Sequence, residues 1–256
     1  MRHQISRLWM AWILASLLAL PAFAGQPSQP SRANDQKIQQ DVNKLLQDNK
    51  NWKNVQASVD RGVVTLNGTV DLFKDKAKLD EKIRKRDQVA RVNDEVLVAG
   101  ATVSDLKLQE KLASKLRYDR STQGSVFNNL TLGVEQGIAT VGGTVRTDFD
   151  KDSALSEVAN TPGVKGVNDQ IKVAPTSIYD DRLRLAVARA IYRRLPPGYM
   201  IDPQAPIRIV VVNGNVDLYG VVGSKVDRQV AEFQARSVPG VFSVTDHIQV
   251  PGQVNE

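Results

Sequence analysis

The 256-residue chain carries 34 Lys and Arg against 28 Asp and Glu, a formal net charge of +6, with two histidines and no cysteine. That inventory excludes disulfides, a thiol nucleophile, a lipid-modified N-terminal cysteine and a zinc site, which needs several His or Cys ligands. The mild positive charge permits attraction to anionic surfaces without demanding nucleic acid.

The chain opens with Arg2 and Arg7, an apolar run from Leu8 to Leu20, and Ala22-Phe23-Ala24. A basic start, a short hydrophobic stretch and an A-x-A site predict a signal peptide over residues 1–24, hence export to the periplasm as a soluble, non-lipidated protein. Its removal leaves Trp52 and His247 as the sole tryptophan and histidine. Residues 25–34, rich in Pro, Ser and Gln, read as a flexible lead.

From there one cassette is written three times. The stretches from Gly62 to Val98, Gly137 to Val173 and Gly214 to Val250 align without insertion. A second glycine recurs at Gly68, Gly143 and Gly220, and aspartates recur at Asp75, Asp150 and Asp227 and at Asp94, Asp169 and Asp246. A fixed register of this kind marks one supersecondary unit used repeatedly.

Apolar residues alternate on both sides of the first glycine, as in Val55, Ala57, Val59 and then Val64, Leu66, Val70, which predicts a β-hairpin with one buried face. Asn213-Gly214 is the strongest of the three turn signals. The second glycine lies on the apolar side of its strand, where a missing side chain suits either close approach by a helix or a β-bulge. Thr147 with Asp150 and Ser224 with Asp227 have capping-box spacing, so a helix follows the hairpin; Leu72 occupies the cap position in copy one. Pro162-Gly163 and Pro239-Gly240 end that helix in copies two and three, and a last strand runs through Val92, Val167 and Val244. Amphipathic segments near 36–48, 105–117 and 180–195 place another helix before each hairpin. The predicted fold is α+β: three tandem α-β-β-α-β units over 35–99, 104–174 and 179–251, each a three-stranded sheet with two helices packed on one face. The short joints between units predict neighbours in contact.

The chemistry is informative by omission. His247 stands where copies one and two carry Glu95 and Gln170, which suits a solvent-facing strand position better than a catalytic base. Asp94, Asp169 and Asp246 belong to different units and read as acceptors for backbone donors at the third strand. The repeated helix-start aspartates suit the unpaired N–H groups there. No catalytic residue, metal ligand or cofactor motif is assigned, and the expectation is a protein without enzymatic activity.

The pattern Val59-x-x-Gly62-x-Val64-x-Leu66-x-Gly68-x-Val70, followed by Val92-Asn93-Asp94, resembles the BON domain family. Copies two and three add Pro162-Gly163-Val164 and Pro239-Gly240-Val241, followed by Val167-Asn168-Asp169 and Val244-Thr245-Asp246. The resemblance implies an envelope protein that binds phospholipid and supports membrane integrity under osmotic or other stress. Three copies stand where two are usual, and copy one has Asp87-Gln88 in place of Pro-Gly.

The family's motif residues build the fold, so a binding surface has to come from the remaining residues. On the first helix of copy three, Leu183, Val187 and Ile191 form the core stripe and Arg182, Arg189 and Arg193 lie opposite, with Leu185 and Tyr192 beside the arginines. Basic residues next to exposed apolar ones fit a helix lying at an anionic headgroup layer, or a solvated face whose Leu185 and Tyr192 pack on a neighbouring unit. A second patch, Lys82, Arg84, Lys85 and Arg86, closes the helix of copy one and also suits the helix dipole. The expected partner is an anionic phospholipid surface. The other reading is a periplasmic scaffold or chaperone-like module for envelope proteins.

Overall fold

A computed structural model of the chain describes residues 32–100, 102–118, 127–201 and 206–252. The expected signal peptide and the lead up to residue 31 lie outside the described residues. The first unit runs α1 (Arg32–Gln47), a 3-10 turn (Lys50–Trp52), β1 (Val55–Asp60), β2 (Val63–Val70), α2 (Phe73–Arg84) and β3 (Arg91–Val98). The second is α3 (Asp105–Tyr118), β4 (Asn129–Glu135), β5 (Ile138–Val145), α4 (Asp148–Ala159) and β6 (Gly166–Val173). The third is α5 (Ile178–Tyr192), a short α6 (Gly198–Ile201), β7 (Ile207–Val212), β8 (Asn215–Val221), α7 (Lys225–Arg236) and β9 (Ser243–Gln249).

Each unit forms its own three-stranded sheet. In each the middle strand pairs antiparallel with its hairpin partner and parallel with the strand that returns after the second helix. A parallel return needs a crossover, and the second helix supplies it. Period-two patterning then sends Val64 with Leu66, Ala139 with Val141, and Val216 with Leu218 to one face of their respective sheets. Both helices cover that face: Leu183, Val187 and Ile191 from α5 and Ala231 and Ala235 from α7 share one cluster with Ile209, Leu218 and Ile248. Each large aliphatic side chain so buried contributes roughly 1.5–3 kcal/mol before entropy is counted.

Three local devices recur. The hairpin turns are two-residue turns in which both residues have positive φ: Arg61 at 49° and Gly62 at 76°, Gln136 at 52° and Gly137 at 78°, Asn213 at 52° and Gly214 at 77°. This is the twist-matched type I′ geometry. The second helices start as the cap residues dictate: the Thr147 hydroxyl accepts from the Asp150 amide at 3.1 Å, and the Ser224 hydroxyl from the Asp227 amide at 3.1 Å. Leu72 makes no side-chain cap, and Asp75 instead accepts from Asn51 Nδ2 at 2.9 Å. Where Pro-Gly is missing from copy one, Gln88 takes the left-handed conformation that Gly163 and Gly240 adopt in the others.

The second glycine is explained by neither expected partner in full. At Gly68, Gly143 and Gly220 the close neighbour is the carbonyl of Asn54, Asn129 or Pro206, at or just before the start of the first strand, and not a helix. All three glycines have positive φ, so both the missing Cβ and the backbone angle are required there.

The joints bring neighbouring units together. Phe73, at the start of α2 in unit one, packs against the core of unit two. Phe127, just before β4 in unit two, packs against the core of unit three. Between the same two units Arg146 reaches Asp181 on α5 at 3.1 Å.

Candidate functional site

The repeated carboxylates are occupied with structure. Asp94, Asp169 and Asp246 accept the amides of Val96, Ile171 and Ile248 at 3.0, 2.9 and 2.8 Å. Each also faces a cation from the second helix, namely Lys76 at 3.6 Å, Lys151 at 2.7 Å and Arg228 at 2.7 Å. Burial pushes the Asp169 carboxyl up, but Lys151 and the Ile171 amide outweigh it and hold the group below its ordinary range. His247 is exposed on β9, stacked on Tyr219 at 4.5 Å between ring centroids and 3.2 Å from Asp217. Among the described residues, no three His, Cys, Asp or Glu side chains gather as a metal site, and no helix is long and apolar enough to cross a membrane.

A third repeated aspartate escaped sequence reading. Asp35, Asp105 and Asp180, in the first turns of α1, α3 and α5, each accept both hairpin-turn amides at 2.7–2.9 Å. They precede the turn glycine by 27, 32 and 34 residues, so no fixed register betrays them.

The α5 face is built by its neighbours on the helix. Ser177 caps the helix by accepting from the Asp180 amide at 3.1 Å, and Leu183, Val187 and Ile191 turn inward. At about 100° per residue, that fixes Ile178, Arg182, Leu185, Arg189 and Arg193 on the outward side. All five are exposed, and the guanidinium groups of Arg182, Arg189 and Arg193 have no hydrogen-bond or ion-pair partner among the described residues. Tyr192 departs from its expected role. It is half-buried against the third core, and its hydroxyl donates to the Ile207 carbonyl at 2.6 Å and accepts the Ile207 amide at 3.1 Å. It anchors the start of β7 and is not free to insert. Arg184, not singled out by the sequence, is buried, bonded to Asp181 at 2.6 Å and donating to the Val211 carbonyl at 2.6 Å.

Two of the four cations of the second basic patch are paired within their own helix. Arg84 pairs with Asp80 at 2.6 Å and Lys85 with Glu81 at 2.5 Å, each one helical turn back; Lys82 is exposed and Arg86 half-buried. The Lys85 ammonium holds the Glu81 carboxyl below its ordinary range, and Asp80 raises the Arg84 guanidinium further. Exposed pairs of this kind contribute little to stability.

Asp181 sits between Arg146 and Arg184. Burial pushes its carboxyl up, but the two guanidinium groups outweigh that and hold it below the ordinary range. A depressed carboxyl stabilises the fold above its unfolded pKa of about 3.9 and loses that contribution as pH falls through the lower folded value. The stability difference between the protein and Asp181→Asn is therefore expected to be constant from pH 7 to about 5 and to shrink steadily below about pH 4. Urea midpoints measured across that range check it; a pH-independent difference would contradict the pairing.

The BON domain family model matches residues 34–100, 104–175 and 184–252. No curated protein matches the chain. Among solved structures, CdsD, a structural protein of the type III secretion system of Chlamydia trachomatis, is 15% identical, covering 83% of this chain and 91% of that one, with a TM-score of 0.25. The periplasmic domain of the type III secretion inner-membrane protein PrgH from S. typhimurium is 12% identical, covering 82% of this chain and 99% of that one, with a TM-score of 0.20. Scores this low carry no argument about architecture or activity.

Proposed function

The chain belongs to the BON domain family, with three copies of the domain, and from that premise we propose that it is a non-enzymatic envelope protein, periplasmic after export, that docks on anionic phospholipid surfaces and supports envelope integrity. One observation carries the reading. Arg182, Arg189 and Arg193 stand on a single exposed stripe of α5 with no internal counter-charge among the described residues, interleaved with the exposed Leu185. A guanidinium that pairs with nothing in its own fold is available to a phosphate, which it can grip in bidentate fashion. The second basic patch lacks that freedom, since two of its four cations are already paired.

Each arginine near an anionic surface contributes about 1 kcal/mol, so three give weak, salt-sensitive binding. Co-sedimentation with vesicles of anionic phospholipid in phosphatidylcholine is expected to show binding that falls with added salt. The triple change Arg182→Glu, Arg189→Glu, Arg193→Glu should weaken it roughly 100-fold or more at low ionic strength. Equal binding to neutral and anionic vesicles would overturn the proposal. Capture of envelope proteins that survives both delipidation and the triple change would favour a scaffold instead.

A further inference from the structure

We propose that the membrane-facing surface of the third unit is the outer face of two helices, α5 and α7, with Phe233 and Val226 of α7 as its apolar insert. The inference rests on the lipid-binding reading of α5 and assigns the part that Tyr192 was expected to play.

The two helices lie side by side and antiparallel over one sheet face. Tyr179, at the start of α5, donates its hydroxyl proton to the Gly240 carbonyl beyond the end of α7 at 2.7 Å. Tyr199, beyond the end of α5, donates to Asp227 in the first turn of α7 at 3.0 Å. Because Ala231 and Ala235 point into the core, the opposite side of α7 presents Val226 and Phe233, seven residues and two helical turns apart. These side chains are 65% and 68% exposed, and on the neighbouring stripe Ile178 and Leu185 are 73% and 46% exposed. The antiparallel arrangement sets Phe233 toward the Ile178 end and Val226 toward the Arg193 end. The outer layer is thus a low apolar ridge on one helix beside an arginine row on the next, with the exposed Lys225 at its margin.

The charge pattern selects the occupant. A second copy meeting this face would bring to it three more arginines that lack a partner among the described residues, adding like charge to like. The acids nearest the face are already engaged, Asp181 with Arg146 and Arg184 and Glu232 with Arg236. A headgroup layer supplies both things the face lacks: phosphates for the arginines and an acyl boundary for the phenylalanine. Docked this way, the third unit would hold its sheet face, with Tyr219 and His247, away from the bilayer.

The absence of native cysteine makes site-specific labelling direct. Single-cysteine forms of the full chain, Leu185→Cys, Val226→Cys, Phe233→Cys and Thr245→Cys, would each carry an environment-sensitive nitrobenzoxadiazole label and be mixed with vesicles containing phosphatidylglycerol. A rise in emission at 185, 226 and 233 with none at 245, on the opposite sheet face, is the expected result. The unlabelled double change Phe233→Ser, Val226→Ser should weaken vesicle binding about tenfold or more without changing its salt dependence. A response at 185 alone would overturn the two-helix face and leave the α5 reading standing. No response at any site, with no sedimentation, would overturn both. A rise at 226 and 233 that follows protein concentration without vesicles would assign the face to a second copy, and a response at 245 would overturn the orientation.

Discussion

Gly220→Ala is expected to unfold the third unit under conditions where the first two stay folded. A Cβ on Gly220 would sit far inside van der Waals contact with the carbonyl oxygen of Pro206, an atom of rigid backbone with no rotamer to escape into. Its φ of 141° adds a conformation that side chains rarely adopt. Strain of this kind costs about 1–3 kcal/mol and forced overpacking about as much again, so a loss of about 4 kcal/mol is expected. A unit of this size has only about 5 kcal/mol in hand. Hydrogen exchange followed by mass spectrometry would place the loss of protection in β7, β8 and β9 while β1 to β3 keep theirs. Gly198→Ala is the control: nothing lies within 4 Å of its would-be Cβ, and the change should be within about 0.5 kcal/mol. A loss under about 1 kcal/mol for Gly220→Ala would show that the strand can shift away.

Asp180→Ala is the second large effect. This carboxylate is fully buried and takes the Asn213 and Gly214 amides at 2.9 Å each. Truncation leaves two donors of a tight turn without their carboxylate, the Gly214 amide in a buried position, and also removes a negative charge from the positive end of α5. Two charge-assisted bonds of this type predict a loss of about 4 kcal/mol. Asp35 and Asp105 make the same pair of bonds but are only half-buried, so their alanine variants should lose about half as much, because water can reach the orphaned amides. Chemical denaturation of the three variants, with exchange rates at the turn amides, checks both the size and the order. Equal losses at all three positions would argue against burial as the deciding factor.

What could be read from the amino acids was whatever repeats at fixed spacing or follows from local geometry. The hairpins, the helix that crosses back, and the third strand all follow from alternation, turn glycines and capping hydroxyls within one cassette. The Asp180 device did not follow, because the stretch between first helix and hairpin differs in length in each copy and hides the correspondence. Gly68, Gly143 and Gly220 were recognisable as special, but a pattern along one strand cannot tell whether a helix or a neighbouring carbonyl fills the space. Of the candidate surface, the arginine row and Leu185 were legible from helical periodicity alone. Periodicity sets Tyr192 beside the arginines but carries no sign that β7 comes back beneath α5 after a long connection, where the tyrosine hydroxyl bonds the Ile207 backbone. Phe233 carried no repeated signal, since copies one and two place the polar Glu81 and Ser156 at its position.

Phe73 and Phe127 make the three copies unequal in a way their shared pattern conceals. Each is contributed by one unit to finish the hydrophobic interior of the next, so the row is ordered like shingles, every tile holding down its successor. Copies two and three cut out alone would each lose a partly buried phenylalanine that covers the edge of their core, Phe73 and Phe127 respectively. Shuffling the order of the copies, or splicing in a foreign one, would therefore disturb interiors as well as spacing, and a chain emerging amino end first would find each lid already waiting.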